Sequence, residues 1–276
     1  MAANPYTTNL VLQLDARSIT GLSDGDAVGS WLDDSAAGND ASQTTAGYKP
    51  LYKTNIVGGN PAVRFQGLDD SLSGSFASWA TSAFTVLLGL ANNVPDSGRN
   101  TAGIISLHAG SGNDFNSTGG FVVRSGVGKD GRNFCSPTCK TGGSYGDVLP
   151  PFTNSGRGDQ ILLPSSASNI VGCGGDGTTV RNYSALGMIG EWSRTLVTGS
   201  SVGYVLGNRY FSGDVSTTYG WAGDMWMVLV YAEMLSATNA KSVCQWMATE
   251  YGLINASGGG GGLLVGGGMT GGFHRT

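Results

Sequence analysis

Hydrophobic residues recur in this chain with a period of two, in short runs, and this spacing limits the fold more than any other feature. In residues 9–16, Leu10, Leu12 and Leu14 alternate with more polar positions. Further runs, each bounded by Gly, Asn, Asp, Ser or Pro clusters, follow at residues 62–66, 84–91, 103–108, 120–124, 179–183, 186–192, 204–211 and 222–231. Such runs are typical of half-buried strands between turns. The sequence therefore predicts an all-β sandwich or jelly roll.

The composition favours strands and loops as well. Glycine occupies 47 of the 276 positions, more than twice its usual share, and only 12% of residues are charged, about half the usual share. The surface is therefore expected to be uncharged and polar, or covered by neighbours in an assembly. The net charge is −4 and no run of Lys or Arg occurs, so a nucleic-acid partner is not expected.

One helix is predicted at residues 237–251. Ser236 is a suitable N-cap, and Gly252 suits the left-handed position that ends a helix. Its apolar stripe consists of Ala240, Val243, Cys244, Met247, Ala248 and Tyr251. Cys244 is therefore expected to be a buried thiol of the core.

The chain divides into three predicted parts. Residues 1–8 form an N-terminal arm, residues 9–254 form the domain, and residues 129–159 form a long loop excursion from it. Residues 255–276 form a glycine-rich tail. Ordering that tail is costly in entropy, so apolar residues are expected to dock it on a neighbouring surface. These assembly residues are Leu263, Leu264, Val265, Met269 and Phe273.

The sequence also bears on the compartment. It has no apolar run near 18 residues, so membrane insertion is not expected. It shows no signal peptide, which predicts synthesis in the cytoplasm and reduced thiols. Cys135 and Cys139 are expected to be loop thiols, with a disulfide between them as the alternative in oxidising surroundings.

Several segments resemble a known family. They are residues 12–16 (LQLDA), 28–35 (VGSWLDDS), 49–52 (KPLY), 60–70 (NPAVRFQGLDD), 223–231 (GDMWMVLVY) and 250–253 (EYGL). Together they resemble the laminin-G-like, concanavalin A-like domains of bacterial and phage proteins. The resemblance spans roughly residues 9–254 and implies two antiparallel sheets packed face to face in a jelly roll. Met227 stands where that family often has a glutamate.

No catalytic constellation is evident, so the chain is not expected to be an enzyme. The glucanases of this fold carry a Glu-x-Asp-x-x-Glu strand motif, whereas here Glu191, Glu233 and Glu250 are isolated from one another. Glycoside hydrolysis normally needs two carboxylates across the sugar. The two histidines are His108 and His274, and no Gly-x-Ser-x-Gly sequence accompanies them.

Two kinds of ligand site are conceivable from the loops. Aromatic rings for a glycan are offered by Tyr145, Phe152, Tyr219 and Trp221, although the same rings can instead pack the edge of the sandwich. Calcium binds carboxylate and carbonyl oxygens. Its candidate ligands are Asp69 and Asp70, with Asp24/Asp26 and Asp33/Asp34 as further pairs, and the competing reading is that Asp is simply common in turns. No other cofactor is expected.

These features lead to a hypothesis about function. We expect a non-enzymatic structural protein of a bacteriophage virion, such as a capsid decoration protein, head fibre or tail adhesin. Its partners would be other virion proteins, copies of itself and host-surface glycans. The alternative is a carbohydrate-binding module of a bacterial surface protein, and a glycoside hydrolase ranks third.

Overall fold

The structure is a computed structural model that describes residues 2–80, 83–92, 102–114, 120–127, 133–141, 144–147, 161–162, 168–184, 187–193 and 200–253. The strands are β1 (Leu10–Asp15), β2 (Ser30–Trp31), β3 (Ala41–Ser42), β4 (Leu51–Val57), β5 (Asn60–Leu68), β6 (Leu72–Ala80), β7 (Phe84–Asn92), β8 (Ala102–His108), β9 (Phe121–Val127), β10 (Asn133–Thr141), β11 (Ser144–Asp147), β12 (Ile161–Leu162), β13 (Asn169–Gly175), β14 (Thr179–Ser184), β15 (Gly187–Ser193), β16 (Ser200–Leu206), β17 (Tyr210–Phe211), β18 (Asp214–Val215) and β19 (Gly220–Tyr231). The helix α1 spans Ala237–Glu250, and short 3-10 helices span Ala16–Ser18 and Ala46–Tyr48.

The first sheet is built around the long strand β19. One side of β19 pairs with β5 along its first half and with β1 along its second half, while its other side pairs with β7. Strand β4 extends the sheet beyond β5, and β13, β14 and β15 extend it beyond β7. All of these pairings are antiparallel, as expected for a jelly roll.

The second sheet runs β2–β3–β6–β16–β8–β9–β10, and both β11 and β12 pair with β10. In the described part of the chain, a single bridge between Gly220 and Gly103 joins the two sheets. The predicted all-β fold with two antiparallel sheets is therefore confirmed.

The main core fills the space between the sheets. From the first sheet it takes inward side chains such as Val86, Leu88 and Val228, and from the second Ile105 and Leu107. These side chains are all fully buried. Alternate residues point into this core in strands such as β1, with Leu12 and Leu14, and β7, with Val86, Leu88 and Leu90, which is the pattern that the period-two runs predict.

Helix α1 covers the outer face of the first sheet around the second half of β19, so this part of the sheet is buried on both faces. The stripe from Ala240 to Ala248 packs on Met227, Leu229 and Tyr231 of β19. The helix prediction is confirmed: the Ser236 hydroxyl accepts from Asn239 N–H at the N-terminus. This second apolar layer explains why a methionine and not a glutamate stands at position 227. A glutamate there would be buried beneath the helix.

Cysteine positions follow from this arrangement. Cys244 is buried, as predicted, and burial raises the pKa of its thiol to about 12. The interpretation of residues 129–159 as an irregular loop is partly wrong, because β10 and β11 form a hairpin there. Cys135 and Cys139 both lie in β10, which puts their Cα atoms about 13 Å apart. The alternative of a disulfide between them is therefore wrong.

Two further predictions concern the C-terminal tail and membrane insertion. The tail residues Leu263, Leu264, Val265, Met269 and Phe273 lie outside the described residues. Within the described residues, no helix is both long and apolar enough to cross a membrane.

Candidate functional site

Two loops come together beside the second sheet. Residues 109–114 follow β8, and residues 207–219 contain the hairpin of β17 and β18. Ser212 and Gly213 turn this hairpin with φ values of 55° and 88°, as its two-residue connection requires. The loops are joined by backbone bonds, with Gly213 N–H donating to Gly112 O at 2.9 Å.

A buried ion pair links the two loops. The Arg209 Nη2 atom lies 2.6 Å from Asp114 Oδ1, and Arg209 Nε donates to Oδ2 at 3.2 Å. Asp114 is fully buried and Arg209 is 4% exposed. The Ser106 hydroxyl of β8 donates to Asp114 Oδ2 and accepts from Tyr210 N–H. A buried pair of this kind holds its geometry, because breaking it would leave an uncompensated charge inside the protein.

Two glycines let the loops approach the sheet this closely. A Cβ atom on Gly103 of β8 would lie 2.6 Å from Asn208 O, and one on Gly120 would lie 2.6 Å from Asp114 O. Real Cβ atoms do not approach backbone oxygens at that distance. Glycine at both positions is therefore a steric requirement of the ion pair's position.

The guanidinium of Arg209 supports two aromatic rings, Phe211 and Tyr219, which we call the aromatic platform. Its Cζ atom lies 5.2 Å from the Tyr219 ring centroid and 5.9 Å from that of Phe211. The two centroids are 5.3 Å apart and the rings are tilted by 54°. Both residues are half-buried. The cation–π contacts hold the rings while leaving part of each open to solvent.

A histidine anchors the base of the first loop. His108 stacks on Tyr210 with centroids 3.7 Å apart and planes 5° from parallel. Its Nδ1 atom accepts from Gly110 N–H at 3.2 Å, and the single hydrogen of the Tyr210 hydroxyl faces two acceptors, Gly213 O at 2.6 Å and Gly110 O at 3.0 Å. Burial lowers the pKa of His108 to about 4, so the ring is a neutral acceptor near pH 7.

The structure separates the four predicted glycan residues. Tyr219 lies in the platform. Trp221 is only 1% exposed and packs on Phe65 in the core, so its assignment to a glycan site is wrong and the edge-packing alternative holds for it. Tyr145 lies in β11, with its side chain outside the description, and Phe152 lies outside the described residues.

Sequence reasoning missed Asp114, Arg209 and Phe211. Asp114 and Arg209 stand 95 positions apart, and no local pattern connects them. Strands β8 and β16 are antiparallel, so the segments that follow them leave opposite ends of the pair. The two residues meet because the chain after β16 runs back along β8, with Gly207 N–H donating to Ile104 O and Asp114 N–H donating to Tyr210 O. A lone Arg in a polar loop carries no sequence signal of this kind.

Three of the calcium candidates, Asp70, Asp33 and Asp24, bind groups of the protein itself. Asp70 is buried and accepts from Gln66 N–H, and burial raises the pKa of its carboxyl group. Asp33 accepts from three backbone N–H groups, and Asp24 pairs with Lys53. Across the described ranges, no three His, Cys, Asp or Glu side chains gather as metal ligands.

The three glutamates are all engaged with other groups. Glu191 pairs with Arg181 at 2.6 Å, Glu250 pairs with Arg17 at 2.9 Å, and Glu233 accepts from the Tyr6 hydroxyl at 2.9 Å.

Comparison with solved structures identifies the shared fold. The binding domain of Paraclostridial Mosquitocidal Protein 1 has a TM-score of 0.54 at 12% identity, over 87% of this chain and 53% of that one. The binding domain of botulinum neurotoxin DC, in complex with rat synaptotagmin II, has a TM-score of 0.55 at 11% identity, over 87% and 52%. The sialidase of Trypanosoma rangeli has a TM-score of 0.54 at 13% identity, over 90% and 34%.

This chain therefore spans about half the length of the toxin domains and about a third of the sialidase. No protein-family model matches the sequence, and no curated protein matches it. The laminin-G-like resemblance is thus supported as far as the fold: at these identities the neighbours establish a β sandwich that toxin binding domains and a sialidase also contain.

Proposed function

We propose that this chain is a non-enzymatic recognition domain of a bacteriophage particle and that it binds carbohydrate at the aromatic platform. The observation that carries the binding part is the pair of half-buried rings, Phe211 and Tyr219, on the buried Arg209. Axial C–H groups of a pyranose pack on the electron-rich face of an aromatic ring. Rings that are already held in place lose little freedom on binding.

Polar groups surround the platform. Ser212 and Asp214 are exposed in the hairpin next to Phe211, and Thr218 is exposed next to Tyr219. Hydroxyl and carboxylate groups at these positions can exchange hydrogen bonds with sugar hydroxyls. The charge of Arg209 is balanced by Asp114, which favours an uncharged polysaccharide over an anionic one.

The contacts of the glutamates support a non-enzymatic role. A glycosidase normally uses one protonated carboxyl as acid and a second carboxylate as base or nucleophile. Each Glu of this chain instead has a structural partner: Arg181 for Glu191, Tyr6 for Glu233 and Arg17 for Glu250. Because all three glutamates are already bound to other side chains, we rank hydrolysis below binding.

The placement on a virion rests on composition. With charged residues at 12% and 47 glycines, the chain suits a surface that is largely covered by neighbours. The apolar residues of the 255–276 tail suit an assembly contact, and the protein would be made in the host cytoplasm. Among the similar structures, the neurotoxin DC domain was solved in complex with rat synaptotagmin II, so this sandwich is compatible with recognition of a partner.

The binding part is tested by applying the full chain to a glycan array and titrating the best ligand by calorimetry. Tyr219→Ala is expected to weaken binding at least tenfold, whereas Tyr219→Phe keeps the ring and most of the affinity. The matched control is Tyr48→Ala, because Tyr48 is an exposed tyrosine (37%) away from the platform. Absence of glycan binding, or equal affinity in folded Tyr219→Ala and Tyr48→Ala, would refute the site.

The virion part needs a separate test. Particles sedimented from the native source are probed with an antibody to the chain, and cell envelopes are probed in parallel. Signal in particles supports the proposal. Signal in envelopes alone, with glycan binding intact, favours the carbohydrate-binding module of a bacterial surface protein. Release of reducing sugar from the bound polysaccharide, lost in Glu191→Gln, would favour a hydrolase.

A further inference from the structure

The N-terminal arm lies across the seam between α1 and the end of β19. Its first contacts are to the helix: the Trp246 indole N–H donates to Ala2 O at 3.0 Å, and Ala2 N–H donates to Glu250 Oε1 at 2.9 Å. Ala2, Ala3 and Pro5 are exposed on its outer side. The start of the arm is therefore held by polar contacts at the surface, whereas Tyr6 further along packs its ring on the apolar cluster beneath α1.

The second group of contacts is to the strands. Asn4 Nδ2 donates to the Tyr231 hydroxyl and to Gln13 Oε1, both at 3.2 Å. The Tyr231 hydroxyl in turn donates to Tyr6 O at 3.1 Å, and the Tyr6 hydroxyl donates to Glu233 Oε1 at 2.9 Å. We call the residues that receive the arm, namely Gln13, Tyr231, Glu233, Trp246 and Glu250, the arm groove.

A strained turn connects the arm to the domain. Leu10 N–H donates to Thr7 O, which folds the chain back, and Asn9 adopts a φ of 52°. This left-handed conformation is unfavourable for residues with a Cβ, although Asn tolerates it better than most. Beyond this turn, Asn9 O accepts from Ala232 N–H and the regular pairing of β1 begins. The turn is thus the point at which the arm can open without loss of the sandwich.

We propose that the arm groove binds the N-terminal arm of a second copy of this chain when copies stand side by side. An exchanged arm makes the same hydrogen bonds as a closed one, so exchange costs no contacts. It also lets Asn9 leave its left-handed conformation. The effective concentration of neighbours in an assembly, in the millimolar range, then decides between the two states. This inference rests on the assembly role in the proposed function.

The test uses opposite substitutions at one hinge residue. Asn9→Val places a β-branched side chain at the left-handed position and penalises the closed arm, whereas Asn9→Gly removes the strain. Sedimentation equilibrium from 10 µM to 1 mM is expected to show a dimer dissociation constant at least tenfold lower for Asn9→Val than for Asn9→Gly. Equal constants, or monomers throughout in both variants, would overturn the proposal.

A second substitution identifies the contact that forms the dimer. Tyr6→Ala in the Asn9→Val background removes arm contacts and is expected to return the protein to monomer, while Tyr48→Ala in the same background leaves the dimer intact. A dimer that survives Tyr6→Ala would show association through another surface and would overturn the arm groove. Glycan binding by the same variants reports separately on the platform, and antibody labelling of particles reports separately on the virion role.

Discussion

The Tyr251 hydroxyl donates a 2.6 Å hydrogen bond to Asp15 Oδ1, across 236 positions of the chain. Both residues are buried, and the Arg17 guanidinium lies 4.5 Å from the Tyr251 ring centroid while pairing with Asp15 and Glu250. This cluster fastens the end of α1 to the end of β1. It also brings together two of the segments that resemble the laminin-G-like family, 12–16 and 250–253.

Removal of that hydroxyl gives the first prediction. Tyr251→Phe is expected to lower the free energy of unfolding by about 1–3 kcal/mol, because a buried hydrogen bond to a charged acceptor is lost. Asp15 keeps its bonds to Arg17, so the carboxylate is not left unpaired. Urea denaturation of the full chain measures the effect, with Tyr48→Phe at an exposed position as control. Equal stability of the two variants would contradict this role for the cluster.

The elements of the fold that can be predicted from the sequence are those with a regular spacing of apolar residues. The alternation in β1 and the apolar stripe of α1 each report burial of one face, and both predictions hold. The run at residues 222–231 predicts the strand that the structure has as β19, but sequence alone does not show that α1 covers its outer face. Burial on both faces depends on where a distant helix docks.

The site was less predictable for the same reason. Trp221 and Tyr219 are two residues apart and equally aromatic, yet the first is in the core and the second in the platform. The difference arises because Trp221 belongs to β19 and points between the sheets, whereas Tyr219 precedes that strand and lies beside Arg209. The residue types alone do not show that β19 begins at Gly220, between these two aromatic residues.

The second prediction concerns the buried ion pair. Asp114→Ala leaves the Arg209 charge unpaired in the interior and is expected to lower the free energy of unfolding by about 3–5 kcal/mol. The double variant Asp114→Leu with Arg209→Met removes both charges and is expected to recover much of that loss. Thermal and urea denaturation of the three proteins measure this. A double variant less stable than Asp114→Ala would show that the unpaired Arg209 charge is not the cause of the loss in Asp114→Ala.

The double variant also separates stability from binding. It lacks the cation that supports the Phe211 and Tyr219 rings, so glycan affinity is expected to fall even where the fold is retained. Titration with the glycan identified on the array measures this. Unchanged affinity would mean that the rings need no support from Arg209.

The third prediction is a pH dependence from His108. Its pKa is about 4 in the folded protein, below the ordinary value of 6.5, because burial disfavours the charged ring. The unfolded chain therefore binds the proton first as the pH falls. The contribution of neutral His108 to stability is complete above about pH 6.5 and is lost as the pH falls to about 4.

His108→Asn keeps an acceptor near the position of Nδ1 but does not titrate. The melting temperature of the wild type is expected to fall more steeply between pH 6.5 and pH 4 than that of His108→Asn. Thermal melts across this range give the comparison. Parallel curves would show that protonation of His108 does not cause the loss of stability at low pH.

The last prediction tests whether close packing at Gly103 positions the ion pair. Gly103→Ala places a Cβ atom 2.6 Å from Asn208 O, a backbone atom that cannot rotate away, so the 207–219 loop must move. We expect a loss of about 1–3 kcal/mol in the free energy of unfolding, together with weaker glycan binding because Arg209 shifts with Asn208. Gly47→Ala is the matched control, since a Cβ there meets nothing within 4 Å. If Gly103→Ala bound glycan as tightly as Gly47→Ala while being less stable, the platform would tolerate displacement of the loop, and its geometry would not be set by the approach of Gly103 to Asn208.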